Sequence, residues 1–320
     1  YARVTGVQTC ALPISKEQIN AFAKGIEERG GVFTYYDTKT TDIEELKKRS
    51  TGNDIVMIAN NPFPREVVSS CTNLKMLCVA FTGIDHVAVD ECKAKDIMIC
   101  NAAGYSNETV AELVIGMAID ALRNVVISDE KVRTGGTSAG IKGREIRGKT
   151  VGIIGLGQIG LRTAELFKAF GTKVIAFNRS KNPKAVAMGI EYKLLEEVLS
   201  ESDIISLNLP NNKETKGFIN AERIALMKKD AIFINCARGP IVDNAALAEA
   251  LNSNKLGYAC IDVYDMEPPI PADYPLLSAK NTLLTPHIGF ISDEAMLRRA
   301  EIVFDNVYAF MDGKPINVCY

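Results

Sequence analysis

A glycine-rich turn between an apolar strand and a helix is the feature that most constrains the fold of this chain. An apolar run over residues 150–154 leads into glycines spaced as G-x-G-x-x-G, and a helical pattern follows. In such a turn Gly155 permits the tight bend, Gly157 lets the backbone approach a pyrophosphate, and Gly160 allows close packing of helix on strand. The helix N-terminus adds free N–H groups and a partial positive charge. The pattern predicts a dinucleotide site with contacts from Gly155, Gly157, Gln158, Ile159 and Gly160.

The strand after this turn ends without an acidic residue. In NAD-binding proteins of this type, an Asp or Glu about 20 residues beyond the glycines commonly accepts a hydrogen bond from the ribose 2′-hydroxyl. Here the run 173–177 is followed by Asn178-Arg179-Ser180, and a guanidinium suits a 2′-phosphate. The alternative is a solvated turn on a protein that still uses NAD. We therefore expect Asn178, Arg179 and Ser180 to contact the cofactor, with NADP slightly favoured over NAD.

Strands and helices alternate along the chain, which predicts parallel sheets. One series runs from residue 16 to about residue 103, and a second begins at Lys149. A final helical pattern over 293–310 is long enough to return to the first series. We predict an α/β protein in which residues 16–103 and 290–320 form a substrate (catalytic) domain and residues 104–289 form an inserted dinucleotide-binding domain.

Residues 1–15 do not fit this alternation. They show neither helical nor strand periodicity, and VTGVQTCALPI matches the translation of a common sequencing-adapter oligonucleotide. We interpret residues 1–15 as a non-native, adapter-derived segment and exclude it from the fold, whereas a native extended leader is the alternative. Because the run 16–29 already has the pattern of a first helix, we expect the natural first strand to be missing.

Composition excludes several classes of function. Lys+Arg 37 against Asp+Glu 39 gives a net charge of −2, which lacks the basic field of a nucleic-acid-binding protein. The longest apolar candidate for a membrane span, 110–122, is interrupted by Glu112 and Asp120. The eight cysteines include no C-x-x-C pair, and with only two histidines a metal site is not expected. Cysteines in apolar runs indicate core residues of a cytoplasmic protein.

Three polar residues follow apolar runs in the second series. They are Arg238 in NCARG, Glu267 in DVYDMEPP and His287 in TPHIG. Loops after the carboxyl ends of parallel strands form the ligand crevice of such sheets, so the three can converge. Arg238 would bind a substrate carboxylate or polarise a keto oxygen, His287 would donate a proton, and Glu267 would orient the ring and favour its protonated form. A surface salt bridge, a packed histidine and a loop glutamate are the alternatives.

In this order, GLGQIG, NCARGPIVD, DVYDMEPP and TPHIGF resemble the D-isomer specific 2-hydroxyacid dehydrogenase family over residues 16–320. The resemblance implies a Rossmann NAD(P)-binding domain inserted in a flavodoxin-like substrate domain, both with parallel sheets, and usually a homodimer. It places the catalytic set on Arg238, Glu267 and His287. It also implies that backbone N–H groups of Gly83 and Ile84 bind the substrate carboxylate. Further implied cofactor contacts are Leu209, Pro210, Cys236, Ala237, Gly289 and Asp262, the last to the nicotinamide carboxamide.

The loops expected to face the substrate, 60–63 and 80–84, carry no Arg or Lys. A substrate phosphate would call for such donors, so we expect glyoxylate, hydroxypyruvate, pyruvate or a branched 2-oxo acid, reduced to the (R)-2-hydroxy acid with His287 as proton donor. Phe63 and Phe81 favour a small or moderately apolar substrate side chain. His86 beside the loop is interpreted as structural, with a role near the substrate as the alternative. An NAD(H)-sensing corepressor-like scaffold and a formate or phosphite oxidase are the competing functions.

Overall fold

The computed structural model describes residues 2–6 and 14–320, which divide into two compact units. Unit 1 consists of the described residues of Tyr1–Ser106 together with Ile291–Tyr320, and unit 2 is Asn107–Phe290. Unit 2 is therefore continuous in sequence, whereas unit 1 is built from both ends of the chain.

All strands of the described chain pair in parallel, in two sheets. The strands are β1 (Arg3–Gly6), β2 (Val32–Tyr35), β3 (Ile55–Ile58), β4 (Met76–Val79), β5 (Met98–Asn101), β6 (Thr150–Ile154), β7 (Lys173–Phe177), β8 (Glu191–Tyr192), β9 (Ile204–Leu207), β10 (Ile232–Asn235), β11 (Tyr258–Ile261) and β12 (Thr282–Leu284). The helices are α1 (Lys16–Glu28), α2 (Ile43–Ser50), α3 (Arg65–Ser70), α4 (Val89–Ala94), α5 (Asn107–Arg123), α6 (Val125–Arg133), α7 (Gln158–Ala169), α8 (Pro183–Ala187), α9 (Leu195–Glu201), α10 (Ala221–Ala225), α11 (Asn244–Asn252) and α12 (Asp293–Met311).

The two sheets have the strand orders of two doubly wound folds. The sheet of unit 1 runs β2-β1-β3-β4-β5, which is the flavodoxin-like order. The sheet of unit 2 runs β12-β11-β10-β9-β6-β7-β8, which is the Rossmann order extended by one strand at the β12 edge. The predicted fold class is thereby confirmed. In both sheets the strand order reverses at the central strand, and ligands bind such sheets at that point.

Strand β1 lies inside the sheet of unit 1, so the exclusion of residues 1–15 from the fold is wrong for residues 3–6. Val4 pairs with Phe33 of β2 on one side and with Ile55 of β3 on the other. Unpaired backbone groups of the buried strand β3 and of its sheet neighbour β2 would be costly, and a short run with β-branched Val4 and Thr5 satisfies them despite its weak local pattern. Residues 7–13 lie outside the described residues, and the adapter origin stays a prediction.

Thr5 fits this central position imperfectly. Its side chain is 0% exposed, and within the described chain its hydroxyl oxygen has no hydrogen-bond partner. A buried hydroxyl without a partner costs about 1–3 kcal/mol, because it loses water without replacement. The backbone of β1 therefore suits the sheet better than its side chains do.

Helix α12 completes unit 1 from the far end of the chain. Its Phe304 stacks on Phe22 of α1 with ring centroids 4.8 Å apart, and the Tyr308 hydroxyl donates to the Phe22 carbonyl. Beyond its end, Asp312 accepts from the Arg29 guanidinium at 3.0 Å. Among the helices of residues 2–6 and 14–320, none combines the length and apolarity needed to cross a membrane.

Some elements of unit 2 differ from the sequence pattern. The helical stretch that contains the apolar run 110–122 ends at Arg123, because Asn124 adopts the left-handed conformation with φ 56° and separates α5 from α6. Helices α8 and α9 and the two-residue strand β8 were not predicted. These elements are short, and length limits the periodic signal that a sequence carries.

A polar contact fixes the start of the central strand β6. The Asp203 carboxylate accepts from the Thr150 N–H at 2.9 Å and from Lys228 Nζ at 3.0 Å. Burial raises the pKa of Asp203, but these two hydrogen bonds together with the nearby lysine charges outweigh it, and the net pKa is lowered. The ionised carboxylate thus holds neighbouring strands in register at the amino end of the sheet.

Candidate active site

The glycine turn between β6 and α7 is closed by contacts that leave no room for side chains at two of its positions. Gly155 has φ +98°, and a Cβ there would lie 2.7 Å from the Asn208 carbonyl oxygen. A Cβ on Gly160 would lie 2.0 Å from the Gly155 carbonyl oxygen. By contrast, a Cβ on Gly157 would meet nothing within 4 Å. Space is therefore open at the one glycine predicted to face a pyrophosphate.

The N-terminus of α7 is suited to an anion. Gly157 is the N-cap residue, so no side chain accepts from the first N–H groups, and the first turn contains no acidic residue. Those N–H groups and the helix dipole are available to phosphate oxygens. The residues present fit the pyrophosphate of a dinucleotide.

Asn178 at the end of β7 is tied to the glycine turn. Its Oδ1 accepts from the Leu156 N–H at 3.0 Å, and its Nδ2 donates to the Ser180 carbonyl at 2.7 Å. Asn182 holds the same turn, since its Nδ2 donates to the Leu156 carbonyl at 3.0 Å. No sequence pattern indicated a role for Asn182. Asn178 was noted only because it stands where NAD-binding proteins of this type commonly have an acidic residue. Both amides shape the turn itself.

The next residue, Arg179, forms an ion pair that sequence spacing did not indicate. Its Nη1 lies 2.9 Å from Glu214 Oε2, on the loop that follows β9. The same loop contains Leu209, which is partly buried against the core, and the exposed Pro210. The Arg179 side chain is 85% exposed and that of Glu214 is 72% exposed, so both groups face solvent.

His287 and Glu267, which lie in the loops after β12 and β11, are brought together. His287 Nδ1 lies 2.9 Å from both carboxylate oxygens of Glu267. A carboxylate accepts only, so Nδ1 carries the donated hydrogen and Nε2 is the nitrogen that exchanges a proton. The ring of Phe290 meets the imidazole edge-on at a centroid distance of 5.1 Å. The His287 side chain is 11% exposed, which limits its rotation.

Asp262 holds the backbone on both sides of this histidine. Its Oδ1 accepts from the Thr285 hydroxyl at 2.6 Å and the Ile288 N–H at 2.8 Å, and its Oδ2 accepts from the Gly289 N–H at 2.8 Å. Burial, to 1% exposure, raises the pKa of Asp262, and these hydrogen bonds only partly oppose the rise. The carboxylate stabilises the loop in which His287 adopts φ 59°, an uncommon conformation for a residue other than glycine.

Arg238 follows the adjacent strand β10, which places it one strand from the loop of Glu267. Its Nη1 donates to the Ala237 carbonyl at 2.8 Å, and its own carbonyl accepts from Asn235 Nδ2 at 3.1 Å. The next residue is in backbone contact with the Glu267 loop: a Cβ on Gly239 would lie 1.9 Å from Tyr264 carbonyl atoms. The two loops therefore cannot shift independently at this point.

A partly buried polar network joins the same two loops, and no sequence motif indicated it. Asn244 Nδ2 donates to Asp265 Oδ1 at 3.1 Å and to the Gly239 carbonyl at 3.3 Å. The Tyr274 hydroxyl donates to Asp265 Oδ2 at 2.8 Å. Burial and the neighbouring carboxylate raise the pKa of Tyr274, so the hydroxyl keeps its proton. The network fixes the loop of Arg238 against that of Glu267.

Cys236 contributes packing. Its sulfur lies 3.7 Å from the Met117 sulfur, and burial raises the pKa of its thiol well above the ordinary value. A neutral thiol is a poor nucleophile, so Cys236 is not expected to react readily with alkylating agents. No cluster of three or more His, Cys, Asp or Glu side chains suited to a metal occurs among residues 2–6 and 14–320.

In unit 1, two side-chain contacts fix the loop that contains Gly83 and Ile84. Asn101 Nδ2 donates to the Thr82 carbonyl at 2.8 Å, and His86 Nε2 lies 2.7 Å from the Ala59 carbonyl oxygen. Gly83 and Ile84 are themselves only partly buried.

The two phenylalanines expected to shape the substrate side-chain pocket are buried. Phe63 is 0% exposed and Phe81 is 6% exposed. Their rings therefore pack inside the protein, and the expectation that they favour an apolar substrate is not supported by their burial. The expectation of a non-phosphorylated substrate therefore rests on the lack of Arg and Lys in loops 60–63 and 80–84.

A glycine-lined, uncapped helix N-terminus at the switch point of a Rossmann sheet defines a dinucleotide-binding α/β protein. The histidine–carboxylate pair beyond neighbouring strands adds an acid–base group on the same sheet edge. Comparison with known proteins agrees. The family model described as "D-isomer specific 2-hydroxyacid dehydrogenase, NAD binding domain" matches residues 115–289, just over half of the chain.

Individual relatives extend the match to nearly the whole chain. A hydroxypyruvate reductase of Blautia hydrogenotrophica is 37% identical over 302 residues, which cover 92% of this chain and 94% of that protein. Among solved structures, an acyclic imino acid reductase in complex with NADPH and D-Arg superposes with a TM-score of 0.89 at 30% identity, covering 99% and 100% of the two chains. A D-lactate dehydrogenase of Aquifex aeolicus with NAD and lactic acid gives 0.84 at 29% identity, covering 98% and 96%. The chain belongs to the D-isomer specific 2-hydroxyacid dehydrogenase family.

Proposed function

We propose that this protein is an NAD(P)H-dependent reductase that converts small, non-phosphorylated 2-oxo acids to (R)-2-hydroxy acids. The observation that carries the proposal is the contact of His287 Nδ1 with the Glu267 carboxylate at 2.9 Å, in the same unit as the glycine turn. Relatives named hydroxypyruvate reductase, glyoxylate reductase and glycerate dehydrogenase support the choice of small acids.

The reduction needs one hydride and one proton. A dinucleotide held at the glycine turn would supply the hydride that C2 of the oxo acid accepts. His287 Nε2 donates the proton to the developing alkoxide, while Glu267 stabilises the charged imidazolium through Nδ1. Asp262 accepts from the backbone N–H groups of Ile288 and Gly289, which keeps the orientation of the neighbouring His287 imidazole fixed. Water can then return a proton to the histidine.

We assign the substrate carboxylate to Arg238, while the N–H groups of Gly83 and Ile84 stay substrate-binding groups that the family resemblance implies. A guanidinium binds a carboxylate through two parallel hydrogen bonds and can also polarise the keto oxygen, which a lysine ammonium does less well. The contact of Gly239 with the Tyr264 backbone and the Asn244 bridge to Asp265 support a fixed position for Arg238. Loops 60–63 and 80–84 lack the cationic side chains that a substrate phosphate would require.

For the cofactor, we propose a slight preference for NADP over NAD. The contacts assigned to it come from the glycine turn, Asn178, Arg179, Ser180, Leu209, Pro210, Cys236, Ala237, Asp262 and Gly289. Arg179 supports the preference, because β7 ends without a carboxylate and with a guanidinium. Among the similar structures, one binds NADPH and another binds NAD, so the family accommodates both.

We further propose that the protein works as a homodimer in the cytoplasm, without nucleic acid or membrane partners. Helix α6 buries none of its residues and exposes the apolar side chains of Val125, Val126, Ile127 and Val132, which contact with a second copy would cover. The free, largely buried cysteines fit a reducing compartment. Light scattering after size exclusion tests the dimer, and a Val126→Glu variant that stays dimeric would remove α6 from the interface.

The test of function follows the loss of NADPH or NADH absorbance with glyoxylate, hydroxypyruvate, pyruvate and 2-oxoisocaproate. Turnover of at least one acid, with an (R)-configured product by chiral chromatography, supports the proposal. Arg238→Lys should raise KM for the acid by at least tenfold with nucleotide affinity unchanged. A folded protein that binds nucleotide but reduces none of the four acids contradicts the proposal and favours the sensing scaffold. Oxidation of formate or phosphite would point to the third function.

A further inference from the structure

The ion pair between Arg179 and Glu214 lies where the ribose end of a dinucleotide would reach. Arg179 follows Asn178, whose amide is bonded to Leu156 of the glycine turn, so its backbone is fixed relative to that turn. In a Rossmann unit, the residues at the end of the second strand contact the ribose 2′ position. Glu214 Oε2 lies 2.9 Å from Arg179 Nη1, although the two residues are 35 positions apart in sequence.

The loop that carries Glu214 is braced by its own hydrogen bonds. Asn212 Oδ1 accepts from the Glu214 N–H at 2.9 Å and from the Thr215 N–H at 3.1 Å. The Thr215 hydroxyl donates to the Pro210 carbonyl at 2.5 Å. The Glu214 backbone is therefore held in place, and its carboxylate reaches Arg179 from a fixed point.

Two anions would then compete for one guanidinium. A 2′-phosphate carries close to two negative charges near neutral pH and needs a charge-assisted donor, whereas the 2′-hydroxyl of NAD is neutral. Glu214 already accepts from Arg179, so the phosphate of NADP must displace a carboxylate that NAD leaves undisturbed. The competition lowers the contribution of Arg179 to the binding of NADP and leaves the binding of NAD unaffected.

We infer that Glu214 is a specificity-determining residue that lowers the preference for NADP by occupying Arg179. The inference rests on the proposed function, in that it requires a dinucleotide at the glycine turn. It accounts for a weak preference in a chain whose turn lacks the usual carboxylate. It also assigns a role to the β9 loop that does not depend on the chemistry at His287.

The test measures equilibrium binding of NADP⁺ and NAD⁺ by calorimetry, without turnover. Exposed ion pairs contribute little, so Glu214→Gln should tighten NADP⁺ by about threefold to fivefold and leave NAD⁺ within about twofold. The gain should shrink as salt is raised, because the competing contacts are exposed. Glu222→Gln is the matched control, since it removes the same charge from an exposed position on α10; it should change neither affinity.

A double variant decides whether the effect passes through Arg179. Arg179→Gln alone should weaken NADP⁺ and leave NAD⁺ unchanged, and adding Glu214→Gln to it should then give less than a twofold further change. An NADP⁺ affinity that Glu214→Gln leaves unchanged overturns the inference, as does a gain that persists undiminished in the Arg179→Gln background. If the unaltered protein binds neither nucleotide, the proposed function fails and the inference fails with it.

Discussion

The two units use the same device at the amino ends of their strands and different residues at the carboxyl ends. In unit 1, Asp54 accepts from the Arg3 N–H at 2.9 Å and pairs with Lys75 at 3.0 Å. In unit 2, Asp203 does the same with Thr150 and a lysine. Both carboxylates fasten the first residue of a central strand. At the amino ends of both sheets, these contacts hold the first residue of an inner strand in place.

The carboxyl ends separate the units. Each contains one of the two histidines of the chain, close to a strand end. In unit 1, His86 Nε2 meets the backbone carbonyl of Ala59 at 2.7 Å, whereas in unit 2 His287 meets the carboxylate of Glu267. A carbonyl only orients an imidazole, but a carboxylate also stabilises its positive charge. The hydrogen-bond partner of each histidine, more than its position on the sheet, distinguishes a structural histidine from one suited to proton transfer.

The sharpest way to break this comparison is to remove each histidine in turn. His287→Ala should lower kcat by three orders of magnitude or more, because it removes the group proposed to donate the proton. His86→Asn should lower it by less than about tenfold, since an amide can still donate to the Ala59 carbonyl. Steady-state kinetics measures both, and nucleotide binding should survive each change. Comparable losses in the two variants would show that the two histidines share the chemistry.

Two glycines of the turn after β6 separate binding from folding. The Cβ of Gly157→Ala meets no atom within 4 Å, so the free energy of unfolding should stay within about 0.5 kcal/mol of that of the unaltered protein. The Kd for nucleotide should rise at least tenfold, because the backbone at this position is predicted to approach the pyrophosphate. Gly160→Ala places a Cβ 2.0 Å from the Gly155 carbonyl oxygen and should destabilise the protein by about 3 kcal/mol or more. Denaturant melts and nucleotide titrations distinguish the two effects. Unchanged affinity in Gly157→Ala would place the pyrophosphate elsewhere.

Buried hydroxyls on inner strands test how well β1 fits its sheet. The Thr5 hydroxyl has no hydrogen-bond partner among residues 2–6 and 14–320, whereas Ser206 of β9 accepts from Asn208 Nδ2 at 3.0 Å. Thr5→Val should raise the free energy of unfolding by about 1–2 kcal/mol, because an unpaired hydroxyl is replaced by a methyl group of similar shape. Ser206→Ala should lower it by about 1 kcal/mol by removing a partner of Asn208. If Thr5→Val destabilises the protein, its hydroxyl is satisfied in solution.

The smallest effect concerns the carboxylates at the amino ends. Because hydrogen bonds lower the pKa of Asp54 and Asp203 despite burial, each stabilises the fold above the ordinary value of 3.8, and this contribution is lost as pH falls through the lowered pKa. Asp203→Asn and Asp54→Asn should each cost about 1 kcal/mol at pH 7, with the difference from the unaltered protein vanishing in acid. Urea melts at several pH values measure this. A cost that is constant with pH would contradict a role for the charge.

Local patterns in the sequence were sufficient for the architecture and for the chemistry-bearing loops. The glycine turn was evident because its spacing is itself the physical requirement, and Arg238, Glu267 and His287 were evident because each follows an apolar strand. Parallel-sheet geometry predicted only that Glu267 and His287 can converge, with a loop glutamate and a packed histidine as the alternatives.

Non-local contacts were beyond the reach of those patterns. Strand β1 forms because β2 and β3 leave a gap for it, which no property of residues 3–6 reveals. The pairing of Arg179 with Glu214 depends on where the β9 loop passes, and the bridge from Asn244 to Asp265 depends on two loops meeting. Side-chain partners of this kind are decided by tertiary structure and leave no periodic trace.

The split construction of unit 1 has a consequence for synthesis on the ribosome. The nascent chain emerges with β1–β5 first, but Phe304 of α12, which covers Phe22, is translated only after the 184 residues of unit 2. Unit 2 can therefore finish folding while unit 1 still exposes the apolar surface that awaits its last helix. During translation, unit 1 is therefore begun first and completed last. It is the unit that chaperones would need to protect.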